Sequence, residues 1–100
     1  MKLYARTSET RDAGPCSFRL NSYTASTRLP EHAYAEPYLC FVVDGGFREW
    51  SRGRLTRYEA GTIHYHPAED WQFVEIGMDG AICLSVSPRN VPTTGGNIAS

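Results

Sequence analysis

Apolar residues recur at every second position through most of this chain, and no window of helical length carries them at i, i+3, i+4 and i+7, so the chain is expected to be nearly all β. The strongest strand covers residues 38–44, Tyr-Leu-Cys-Phe-Val-Val-Asp, and Asp44-Gly45-Gly46 then offers the positive-φ residues of a tight hairpin before 47–51 returns. Arg52-Gly53 marks a second turn, 54–58 a short strand, and Glu59-Ala60-Gly61 a third turn. The chain is extended again over 62–66 until Pro67, which has no amide hydrogen for a ladder. Strands 71–76 and 81–87 follow, joined by a turn at Gly77-Met78-Asp79-Gly80. In the last strand Ile82, Leu84 and Val86 read as the core face, with Ala81, Cys83 and Ser85 on the other. Residues 2–6 and 17–24 are weaker strand candidates, separated by a polar segment at 8–15.

One hundred residues make one domain, here 1–88, and the polar, Gly-rich stretch 89–100 reads as a frayed tail. Ten basic against eleven acidic residues give a net charge of -1, which argues against direct binding of a nucleic-acid backbone. Arg48, Arg52, Arg54 and Arg57 share their segment with Glu49 and Glu59 and read as a solvated, mixed-charge hairpin. Of three cysteines, Cys40 and Cys83 fall in apolar strand patterns and are expected as buried free thiols. No long apolar run follows Met1, so neither a signal peptide nor a membrane span is visible and a reducing cytoplasm fits best.

Short antiparallel strands with Gly and Pro turns imply a sandwich or a barrel, and motifs must choose between them. Pro30-Glu31-His32, Tyr38 to Val43, Asp44-Gly45-Gly46, Phe47-Arg48-Glu49, Gly61-Thr62, His66-Pro67-Ala68, Asp79-Gly80-Ala81 and Cys83-Leu84 occur in this order over residues 29–88. This half of the chain resembles the N-terminal sensory cupin domain of AraC-type transcriptional regulators. The resemblance implies a single cupin-type jelly-roll β-barrel (a double-stranded β-helix) that binds a small organic ligand and forms a homodimer. The DNA-reading helices of that family are not expected within these 100 residues.

Metal-holding cupins carry G-x5-H-x-H-x3,4-E-x6-G and G-x5-P-x-G-x2-H-x3-N motifs. With the first motif's terminal glycine at Gly45, its ligand positions fall on His32, Tyr34 and Tyr38; with the second at Gly61 and Pro67, its histidine becomes Gln72. One donor of four survives, and neutral phenols and an amide bind transition ions poorly at the required distance of about 2.0–2.2 Å. No cofactor is therefore expected from the motif. His64 and His66 project from one strand face and form a second candidate pair for zinc, iron or manganese, with Glu69, Asp70 or His32 as the third donor.

His32, Tyr34, Tyr38, His64, His66 and Gln72 are the expected ligand-binding set: aromatic walls with a few polar anchors, the usual anatomy of a small-molecule site. No serine or cysteine elbow supports nucleophilic catalysis. The leading expectation is a sensing or binding domain, not an enzyme. The alternatives are a metal-dependent cupin enzyme, such as an isomerase or dioxygenase, and a structural dimerisation module.

Overall fold

The computed structural model describes residues 6–89 and contains seven strands and no helix among them: β1 (Arg6–Ala13), β2 (Cys16–Tyr23), β3 (Arg28–His32), β4 (Tyr38–Ser51), β5 (Arg54–Glu59), β6 (Ile63–His66) and β7 (Gln72–Pro88). All pairings are antiparallel, in the order β1-β2-β7-β4-β5, with β3 added to β7 and β6 to β4. The first half of β4 pairs with β6 and the last half of β7, while its second half pairs with β5 and the first half of β7. The two long strands therefore pass through both layers of a rolled sheet. Leu29, Cys40, Val42, Phe47, Val74, Ile76, Ala81 and Cys83 form the core between the layers.

Two expected hairpins are absent. Asp44-Gly45-Gly46 and Gly77-Met78-Asp79-Gly80 do not reverse the chain; each is an irregularity within one continuous strand, where the β4–β7 register shifts between Val42 and Asp44 and between Gly45 and Phe47. A bulge bends a strand and increases its twist, which is how β4 and β7 turn the corner from one layer to the other. The two bends touch: a Cβ on Gly45 (φ 73°) would lie 2.0 Å from the carbonyl oxygen of Gly80. Arg52-Gly53, by contrast, is a true two-residue hairpin between β4 and β5, with both residues at positive φ (54° and 73°) as a type I′ turn requires.

The polar segment expected at 8–15 is mostly strand β1, paired with β2 through a turn at Gly14 (φ 58°). All eight of its residues are exposed, so no apolar alternation marked it. Strand β3 was likewise unexpected. Residues 2–5 and 90–100 lie outside the described residues, and with them most of the first expected strand and of the tail. No described helix is long and apolar enough to cross a membrane.

The expected core face of β7 is inverted. Ala81 and Cys83 are buried at 3% and 1% exposure, whereas Ile82, Leu84 and Val86 are only half-buried on the outside of the roll. There Leu84 and Val86 join two apolar rows, Phe18-Val86-Leu39-Tyr65 and Leu20-Leu84-Phe41-Ile63, that cross β2, β7, β4 and β6. The inner face of the same strands carries Ser17, Arg19, Asn21, Ser85 and Ser87, five of the residues lining a concave, open cavity of about 470 Å³. At this end of the roll the lining is polar and the outside apolar, while the apolar core fills the other part of the interior.

Candidate metal and ligand site

On β4, the bulges shift the side-chain parity so that Cys40 and Val42 point inward before the bend and Phe47 and Glu49 after it. Glu49, expected on a solvated hairpin, is instead 5% exposed. Strand β6 alternates cleanly, with Ile63 and Tyr65 outward at 65% and 60% exposure and His64 and His66 inward. Because β6 lies in one layer and this part of β4 in the other, the roll brings one carboxylate and two imidazoles face to face.

His66 Nε2 donates to Glu49 Oε1 at 2.6 Å, and His64 Nε2 lies 4.0 Å from the same oxygen. One donor atom from each of the three residues falls within 4.8 Å of the other two. A four-coordinate ion with bonds of about 2.0–2.1 Å spaces its ligand atoms by roughly 3.4 Å, so small side-chain shifts would seat one. His64 Nδ1 is buried with no hydrogen-bond partner, an orphan in a region where nearly all buried polar atoms are satisfied. Two imidazoles and a carboxylate also form a donor set that suits zinc, iron, manganese or nickel. Among the expected third donors, Asp70 accepts from Arg52 Nε at 2.7 Å and from Ser51 Oγ at 3.0 Å, and neither it, Glu69 nor His32 belongs to this cluster. Within this cluster the third candidate donor is Glu49.

Aromatic rings fix the two imidazoles. Tyr58 stacks on His64 with centroids 3.9 Å apart, and Tyr38 stacks on His66 at 5.0 Å. Gln72, 2% exposed, donates through Nε2 to the Tyr38 hydroxyl at 3.2 Å. Burial holds the Tyr38 and Tyr23 phenols well above the ordinary tyrosine range, so both stay protonated. The Cys40 and Cys83 thiols lie buried and hydrogen-bonded to one another; that contact first, and then burial, pushes Cys40 up.

Of the six expected ligand-binding residues, His32, Tyr34, Tyr38, His64 and Gln72 line one small inner chamber of about 30 Å³, with Glu49 and Cys40, and His66 lies against Tyr38. Tyr23, Tyr34, Tyr38 and Ser85 line both this chamber and the 470 Å³ outer cavity, so they form the wall between the two. Glu49 and Tyr23 also line the inner chamber, and neither is singled out by the sequence pattern. The signal for Glu49 was its period-two spacing from Phe47 within a charged run.

Burial, with the nearby His66 adding to it and Glu49 opposing, lowers the pKa of His64 from 6.5 to about 4. The unfolded chain therefore binds one more proton than the folded chain between those values. Stability from this group is complete above pH 6.5 and is lost as the pH falls toward 4, at about 1.4 kcal/mol per pH unit inside the window. Urea unfolding of metal-free protein at pH 6 and pH 5 should show this slope as the difference between the wild type and His64→Phe, whose ring keeps the packing against Tyr58. Equal slopes in the two proteins would mean that His64 is not buried neutral.

No family model matches the sequence, and no curated protein matches it. Solved structures do. A cupin-2 domain containing protein from Shewanella frigidimarina superposes with TM-score 0.68 at 15% identity over 84% of this chain and 83% of that one. This chain has the cupin fold. KdgF from a Halomonas species gives TM-score 0.67 at 16% identity, covering 82% of this chain and 77% of that one. The DMSP lyase DddQ from Ruegeria pomeroyi gives TM-score 0.69 at 14% identity, with 82% of this chain on 42% of that one. The jelly-roll expectation is met, and the set of similar structures includes enzymes.

Proposed function

We propose that this cupin is a metal-dependent enzyme of the lyase or isomerase type, acting on a small polar molecule, with Glu49, His64 and His66 as the protein ligands of a divalent transition ion. The convergence of these three donors in the buried interior carries the reading. When bound, such an ion polarises a substrate oxygen or a water molecule. The chain's own residues would do the rest. Tyr38, kept protonated by burial and held by Gln72, presents a phenol proton at the chamber wall, and the tyrosine wall limits water entry. That a DMSP lyase shares the fold supports the class without identifying the substrate. Transcriptional regulation of the AraC kind rests on the sequence resemblance alone.

Metal analysis of the purified protein tests this directly. About one equivalent of zinc, iron, manganese or nickel is expected, and it should be absent from the His64→Ala/His66→Ala protein. Restoring the ion to chelated protein at a thousandfold excess over its Kd should stabilise the fold by about 4 kcal/mol. A metal-free binding module is the second reading, and one observation favours it: the 2.6 Å contact lets Glu49 and His66 satisfy one another without an ion. It predicts substoichiometric metal and no thermal shift with any of the four ions.

A further inference from the structure

Arg19 is exposed, at the open lining of the 470 Å³ cavity. It lies on β2 with Ser17, Asn21 and Tyr23 on the inward parity, directly across from Ser85 of β7, while the outward positions of the same strand hold Phe18 and Leu20. Neither a hydrogen bond nor an ion pair engages the Arg19 guanidinium among the described residues, although Arg28, Arg48, Arg52 and Arg89 all find carboxylates. Its surroundings in the 470 Å³ cavity are the hydroxyls of Ser17, Ser85, Ser87 and Tyr34, and one further charge, the half-buried Glu36. That volume falls in the range of small-molecule sites, about 300–1,000 Å³.

We infer that this outer cavity is the binding site for a small hydroxylated carboxylate, with Arg19 pairing the carboxylate and the serine hydroxyls and Glu36 receiving the hydroxyl groups. A guanidinium matches a carboxylate through two parallel N–H donors, and charge-assisted bonds of this kind are about twice as strong as neutral ones. Glu36 accepts hydrogen bonds from hydroxyls but repels a second carboxylate, so monocarboxylates are favoured over dicarboxylates. The cavity shares Tyr23, Tyr34, Tyr38 and Ser85 with the inner chamber, so a ligand bound there lies against the wall whose other side faces Glu49 and His64. The inference thus gives the proposed enzyme its substrate class, and it rests on that reading only for the chemistry that follows binding.

Calorimetric titration of the full chain, held metal-free with chelator, tests the site apart from the metal. The probes are lactate, glycerate and D-gluconate, with sorbitol as the polyol that matches gluconate but lacks its carboxylate. At least one hydroxy acid should bind saturably and at least about tenfold more tightly than sorbitol. Arg19→Gln should weaken it at least about tenfold with an unchanged melting temperature, and Arg19→Lys should restore part of the loss. Arg57→Gln, at an exposed arginine outside the cavity, should leave this binding intact. No binding by any of the three acids, equal binding of gluconate and sorbitol, or wild-type affinity in Arg19→Gln would each overturn the site. Failure of the metal reading would show instead as hydroxy-acid binding to a protein that takes up no ion.

Discussion

Gly45→Ala should cost more than about 4 kcal/mol, enough to leave much of a typical domain unfolded when total stability is about 5–15 kcal/mol. The new Cβ would lie 2.0 Å from the Gly80 carbonyl oxygen, 2.8 Å from its carbon and 3.0 Å from the Cα of Ala81. All three are backbone atoms of the neighbouring bend, and none can swing aside as a side chain does. The left-handed conformation of Gly45 (φ 73°) adds about 1–2 kcal/mol for any residue with a Cβ. Gly53 has the same φ of 73° with nothing within 4 Å of its would-be Cβ, so Gly53→Ala isolates the conformational cost alone. Urea unfolding of the two variants should separate them by more than about 2 kcal/mol. Similar losses would mean that the bends of β4 and β7 do not pack on one another.

These bends also explain what was legible in the sequence. Alternation and turn residues were enough to reach an all-β roll, and the order of motif fragments was enough to reach the cupin fold. Glycine, however, marks a positive φ without saying whether the chain then reverses or continues, so Gly45 and Gly80 read as hairpins. That misreading hid Glu49. Counting alternately from Tyr38, Cys40 and Val42 puts Arg48 inside and Glu49 outside, and only a bulge, which inserts one unpaired residue, reverses the count. The polar lining also hides the facing of β7, since apolar residues face inward by default whereas Ile82, Leu84 and Val86 face out. His64 and His66 were found because β6 has no bulge and ends at a proline. Their third partner comes from a strand in the opposite layer, and its proximity depends on how far the sheet rolls, a quantity absent from local pattern.

Glu49→Gln is the substitution expected to separate structure from metal chemistry most cleanly. Groups that merely orient a metal ligand change affinity by about 10–100-fold when removed, so converting one of three ligands to a neutral amide should weaken ion binding at least about a hundredfold. Stability without metal should move in a different way. The amide oxygen can still accept from His66 Nε2, and a buried carboxylate replaced by a neutral group of the same shape sheds its desolvation cost. The metal-free variant should therefore melt within about 1 kcal/mol of the metal-free wild type, or above it. Glu49→Ala, which leaves the His66 donor buried and unpaired, should lose about 1–3 kcal/mol before any metal is added. If the carboxylate served only as an ion-pair partner for His66, Glu49→Gln would show the reverse pattern, a clear loss of stability and an unaltered response to zinc or manganese. Melting curves of the three proteins with chelator and with added ion give both quantities from one experiment, and a hundredfold drop in affinity without a drop in metal-free stability assigns Glu49 to the metal.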